Sequence, residues 1–269
     1  MNEFWTKEKL GKHPTVASNA ETLYSKYAMC SADKLLKRLQ ESIFKFGEVG
    51  PIEFKNILMF ANLDDCLKPE FVDEALKVTT ARPAIGRGEF LLASLFANIG
   101  FAKHKGDLID LRTKKMAELK GVSATINGEY TLNDGRLGTI FRHFKMTPPA
   151  MLSKHVFDSI QRFCADERNL RYILEAFRNT NEVKVSTIDS AVSNYTSRKE
   201  KNLYMTVVGM HLYEYLKSEH ASYLFALNDN EFRCFNAPRN VYQAVNILSH
   251  FTIDEWKVGE TGFKITLEH

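Results

Sequence analysis

Apolar residues recur at helical spacing through the first third of the chain. In the segment from Ala20 to Phe46, Leu35, Leu36, Leu39 and Ile43 fall three and four residues apart, which predicts helix up to Gly47. Pro51 can open a further helix in "PIEFKNILMFANL", and "KPEFVDEALKVT" reads as another. "TTARPAIGRG" then breaks the pattern with one Pro and two Gly. A strongly apolar helix, "EFLLASLFANIG", ends at Gly100. "KGDLIDLRTKKMAELKG", Lys105 to Gly121, is two short apolar-rich runs around a basic turn and predicts a hairpin. "VSATINGEYTLNDGRLG" is turn-rich, a strand with a loop, and helical patterns resume from Leu137 to about Tyr215. Near the end, "SYLFALN" and "EFRCFNA" form a second hairpin pattern, followed by the helical "RNVYQAVNILSHF" and a last strand "GFKITL". The succession predicts a mixed α/β protein, with residues 1–80 as a helical extension or subdomain and 81–266 as the main domain. "LEH" at 267–269 reads as the remnant of an expression tag.

The charges on the first hairpin change this picture. In a strand, residues two apart share a face, so Glu118 and Lys120 point one way and Leu119 the other. A two-residue turn at Thr113-Lys114 would pair Asp107 with Lys120 and Ile109 with Glu118, putting Asp107, Glu118 and Lys120 on one face. A three-residue loop would instead bring Asp110 opposite Glu118, so Asp110 is the reserve candidate. Two neighbouring carboxylates repel unless a cation lies between them, and Mg²⁺ is a hard cation that one or two carboxylates can hold. The plain alternative is a charged surface hairpin in which Lys120 pairs with Asp107. Glu89 adds an acid on the same helix stripe as Leu92, Ala93 and Phe96. Helix N-termini favour acids, which explains Glu89 without a site; an unpaired buried carboxylate is costly, which favours one.

"GRGE", "KGD" and "AELKG", taken in order, resemble the PD-(D/E)XK, restriction-endonuclease-like nuclease superfamily. There a helix supplies a Glu, one strand an Asp and the next strand (Asp/Glu)-x-Lys. Glu89, Asp107 and Glu118-Leu119-Lys120 follow that order, with seventeen and ten residues between the acids. The "GxGE" entry, Gly86 to Glu89, is similar to versions in phage-encoded and related bacterial proteins. The resemblance spans residues 86–121; no Pro precedes Asp107, a departure from the named pattern. It implies a mixed central sheet flanked by helices and metal-dependent hydrolysis of DNA phosphodiesters. Glu89, Asp107, Glu118 and the Leu119 carbonyl would hold Mg²⁺, with Mn²⁺ as alternative, and Lys120 would assist the attacking water. The other reading is a nuclease-fold protein that binds DNA or assembles with partners without cutting.

A nuclease also grips phosphates, for which Arg87, Lys103, His104, Lys105, Lys114 and Lys115 are candidates, with Arg136, Arg142, His143 and Lys145 further on. Formal net charge is +3, too small to establish or exclude a nucleic-acid partner. A protein partner through the N-terminal helices and a homodimer are both open. The four cysteines, Cys30, Cys66, Cys164 and Cys234, are scattered without zinc-ligand spacing and are expected as free thiols. No signal peptide or membrane-length apolar run is visible, so a cytoplasmic protein is expected, in the host cytoplasm if phage-encoded. Phosphate-loop, serine-hydrolase, zinc-protease and full dinucleotide-binding signatures are absent.

Overall fold

Side-chain caps set several of the helix starts. In the computed structural model, which describes residues 3–81, 84–121, 124–127, 134–147, 151–177, 185–198, 201–254, 256–257 and 262–268, α1 (Lys7–Leu10) begins where the Thr6 hydroxyl accepts from the Lys9 N–H at 3.2 Å. α2 (Val16–Tyr27) and α3 (Ala32–Glu41) are separate helices rather than parts of one run to Phe46. The Ser31 hydroxyl caps α3 by accepting from the Lys34 N–H at 3.3 Å. The backbone between the two helices is engaged elsewhere: the Met29 N–H donates to the Cys66 carbonyl at 2.9 Å, and the Lys68 N–H to the Tyr27 carbonyl at 3.0 Å. Beside this bridge Cys30 and Cys66 form a disulfide with Cα atoms 5.0 Å apart, which corrects the expectation of free thiols. They lie 36 positions apart in sequence, and the antiparallel bridge between Ala28 and Leu67 lies beside them. Cys164 and Cys234 are free and buried.

The chain continues through β1 (Val49–Glu53), a strand where a helix opening at Pro51 was expected, then α4 (Ile57–Phe60) and α5 (Glu70–Lys77). β2 (Thr80–Ala81) and β3 (Ala84–Ile85) pair with each other. α6 (Glu89–Leu95), β4 (Ile99–Phe101), β5 (Leu108–Asp110) and β6 (Met116–Lys120) follow. α6 is shorter than its apolar pattern, because Ile99 to Phe101 leave the helix to pair with β5. Next come β7 (Ala124–Asn127), α7 (Asp134–His143), β8 (Met151–Leu152), α8 (Lys154–Gln161), α9 (Glu167–Ala176), α10 (Val185–Ser197) and α11 (Leu203–Ser218). The chain then makes β9 (Ala221–Leu227) and β10 (Glu231–Asn236), and closes with α12 (Val241–Leu248), β11 (Phe251–Ile253), β12 (Trp256–Lys257) and β13 (Gly262–Leu267).

These elements form two units: residues 1–122 with 219–236, and residues 123–218 with 237–268. The boundary expected near residue 80 therefore falls inside the first unit. β1 pairs with β10, Ile52 against Phe232, and Trp5, Val16, Leu35 and Phe44 belong to the same core as Phe90 and Phe225. Lys9 adds a polar tie. Its buried Nζ donates to the carbonyls of Phe96 at 2.6 Å and Ile99 at 2.5 Å, between the end of α6 and the start of β4. Burial holds its pKa well below the ordinary lysine value.

The first unit is mixed α/β, a mixed sheet flanked by helices, with strand order β1-β10-β9-β6-β5-β4. All neighbours are antiparallel except β6 and β9, which run parallel with Glu118 level with Leu224 and Lys120 level with Ala226. The late hairpin is thus the middle of the sheet. Tyr223 to Leu227 are all buried, as expected for a strand covered on both faces. The second unit carries a three-stranded sheet, β11-β13-β7, and a β12-β8 ladder beside its helices. Leu267 and Glu268, set aside as a tag remnant, take part in it: Leu267 is buried opposite Phe251, and the Glu268 N–H donates to the His250 carbonyl at 2.9 Å. Among the described residues no helix is long and apolar enough to cross a membrane.

Candidate active site

Two glycines place Glu89. Gly88 precedes α6 at φ +86°, and a Cβ there would lie 2.2 Å from Leu227 Cδ2, so only glycine lets the helix start against the end of β9. A Cβ on Gly86 would lie 2.6 Å from Glu89 Oε1; without one, the Gly86 N–H donates to that oxygen at 3.0 Å. The "GRGE" turn therefore folds over its own carboxylate and holds Glu89 at 9% exposure.

The hairpin pairs Leu108 with Ala117 and Ile109 with Met116, two residues away from the expected register. Asp110 explains the slip. Its carboxylate accepts from Thr113 Oγ1 at 2.6 Å, the Arg112 N–H at 3.1 Å and Asn98 Nδ2 at 3.2 Å, closing the turn over Leu111 to Lys114. The Lys114 N–H donates to the Asp110 carbonyl at 2.7 Å. Because the slip is an even number of residues, the faces are unchanged. Continued by one residue, the register sets Asp107 abreast of Glu118. Asp110 lies on the opposite face with buried Leu108 and Ala117.

The acids feel one another. Glu89 is pushed up to about 7, first by burial, then by the Asp107 charge, with a smaller push from Glu118 and relief from the Gly86 N–H and Lys12. Asp107 is pushed up to about 6 by burial and by Glu118, against the Leu119 N–H, Lys120 and Lys12. The Leu119 N–H donates to Asp107 Oδ2 at 2.8 Å. Lys120 Nζ lies 2.9 Å from Glu118 Oε1, and its charge also acts on Asp107. Each carboxylate thus turns one oxygen to a donor of the chain. Among the described residues, no three or more His, Cys, Asp or Glu side chains are arranged as a metal-holding group.

The candidate phosphate contacts divide by position. Lys103, His104 and Lys105 are exposed on the β4–β5 connection leading into Asp107. Arg87 is exposed beside Glu89, 3.6 Å from Asp229. Lys114 sits at the turn end, ion-paired with Glu8, roughly four residues or ~13 Å along the strand from Glu118; the hairpin does not bring it to the acids. Arg142 belongs to the second unit, where Nε donates to the Gly138 carbonyl at 3.0 Å. Arg136 falls in α7, and its side chain lies outside the described residues. Lys12, which acts on both Glu89 and Asp107, was not among the sequence candidates: it lies in a polar N-terminal stretch without a motif. No family model, curated protein or solved structure matches the chain.

Proposed function

We propose that the protein is a metal-dependent deoxyribonuclease of the PD-(D/E)XK, restriction-endonuclease-like type. The observation that carries this reading is the shared field of Glu89, Asp107 and Glu118, contributed by a helix and two adjacent strands, with Lys120 beside Glu118. Bringing two buried acids and a half-buried third within one another's field is unfavourable for folding, and positive charge joining them would give it a chemical use.

The donor set suits Mg²⁺, since it consists of carboxylate oxygens and a backbone carbonyl, hard ligands without His or Cys. Glu89, Asp107, Glu118 and the Leu119 carbonyl would hold the ion. When bound, Mg²⁺ lowers the pKa of a coordinated water and offsets charge on a phosphoryl oxygen. The chain's own contribution is positional. Asp107 is fixed by the Leu119 N–H, and Glu89 by the Gly86 N–H. Lys120, now on Glu118, would turn its ammonium toward the attacking water or the developing charge on phosphorus.

The test is cleavage of supercoiled and linear plasmid by the wild type in Mg²⁺, the wild type in EDTA, and Glu118→Gln in Mg²⁺. The reading requires cutting in the first case only, and nicking of the closed circle would identify an endonuclease. A second reading, a nuclease-fold protein that binds DNA without cutting, draws on the lack of a three-ligand group among the described residues. Duplex binding with no cutting in any condition would establish it over the first.

A further inference from the structure

The N-terminal segment docks on Phe101 on both sides of one basic residue, Lys12. α1 ends at Gly11, with φ +55°, where a Cβ would lie 2.2 Å from the Phe101 carbonyl oxygen. Two residues on, the His13 ring packs edge-on against the Phe101 ring with centroids 4.9 Å apart, and His13 is buried at 2% exposure. Burial, and then the charge of Lys12, holds the His13 pKa below its ordinary value, so near neutral pH the ring packs as an uncharged group. Lys12, between these two docked residues, is exposed. Phe101 pairs with Leu108, and the Ala102 N–H donates to the Asp107 carbonyl at 3.0 Å. The backbone on both sides of Lys12 is therefore fixed at the strand end from which Asp107 emerges.

We propose that Lys12 is a phosphate-contacting residue of this site, its ammonium taking a non-bridging oxygen of the substrate phosphodiester beside Asp107. The inference rests on the nuclease reading and deepens it. A phosphodiester approaching three carboxylates meets repulsion that the chain must offset. Lys120 lies 2.9 Å from Glu118, whereas Lys12 presents an exposed point charge on a docked backbone. The segment that reads as a helical extension would then complete the substrate site.

Two measurements on the full chain test this, using wild type, Lys12→Gln and Lys12→Arg. The first is plasmid cleavage in Mg²⁺; the second is anisotropy of a short fluorescein-labelled DNA duplex in EDTA across a salt series. Lys12→Gln should lower kcat/KM about 10- to 100-fold. It should also make the slope of log K against log salt shallower by about 0.9, the value of one phosphate contact. Lys12→Arg should keep most of both properties, and all three proteins should melt together, since the side chain is exposed. Wild-type cleavage with Lys12→Gln unchanged in rate and slope overturns the Lys12 role and leaves the nuclease reading standing. Wild-type binding without cleavage, with the slope shallower in Lys12→Gln, overturns the nuclease reading and supports the Lys12 contact. Neither binding nor cleavage by the wild type overturns both.

Discussion

At the turn end of the β5–β6 hairpin, Asp110 is buried among donors from Thr113, Arg112 and Asn98. At the other end, half-buried Asp107 and buried Glu118 and Glu89 act on one another through their charges. A few residues thus separate two opposite ways of placing a carboxylate out of water. Where donors surround it, burial fixes a turn and serves the fold. Where other acids lie near, the Gly86 and Leu119 N–H groups and Lys120 offset part of the charge, and keeping every carboxylate ionised costs more. The difference teaches that burial alone does not mark a functional acid; the neighbours decide.

The largest effect should come from removing charge at the crowded end. Asp107→Asn and Glu118→Gln keep shape and one carbonyl acceptor, and each should cut plasmid cleavage by about 10³-fold or more. Calorimetry in EDTA should find both variants at least as stable as the wild type. Loss of stability together with activity would instead place these acids with Asp110.

A second effect appears in pH. Glu89 and Asp107 have ordinary values of 4.5 and 3.8 and rise to about 7 and about 6 in the fold. At these two groups the folded state holds more protons than the unfolded state, so their contribution to stability without metal falls as pH rises from about 4 and levels off above about 7, against the opposite contribution of buried His211, which is lowered to about 4. The Glu89 contribution is on the order of 3 kcal/mol. The melting temperature of wild type minus that of Glu89→Gln should fall as pH rises from about 4 to about 7, and millimolar Mg²⁺ at pH 7.5 should raise the wild-type melting temperature but not that of Asp107→Asn. An unaltered slope in Glu89→Gln would sink the account of the crowded end.

Asp110→Ala should act in the contrary sense. Losing the acceptor for Asn98, Arg112 and Thr113 should cost about 1–3 kcal/mol by urea denaturation, while the protein that remains folded still cuts. The smallest effect belongs to Lys114, whose partner Glu8 is exposed; Lys114→Ala should change stability by less than about 0.5 kcal/mol and leave cleavage in place.

Much of the crowded end is legible in the residues. The period of two along a strand puts Glu118 and Lys120 on one face whatever the turn, and an even slip leaves Asp107 on that face. The glycines of "GRGE" are visible too, although their purpose, room for the Glu89 carboxylate and for Leu227, appears only when β9 is in place. The choice between Asp107 and Asp110 was not legible, because it depends on Asn98, which arrives from outside the hairpin. The Ala20–Phe46 pattern gave helix at α2 and α3 but missed the break at Ala28 to Ser31, where a long-range bridge to Leu67 outweighs local propensity, and ran past the end of α3 at Glu41. Lys12 carries no signal because its relevance comes from Gly11 and His13 docking on Phe101.

The sequence by itself determined the alternation of faces on the hairpin, the acid at the head of an apolar helix, and the order in which the acids occur, since all are local consequences of backbone geometry. The tertiary structure alone decided that β9 runs parallel to β6 through the middle of the sheet, that residues 1–80 share the core of the acid-bearing unit, and that Cys30 meets Cys66. Those outcomes depend on pairings between segments far apart in the chain, whose free energy comes from burying apolar faces jointly, and no window of neighbouring residues contains both partners.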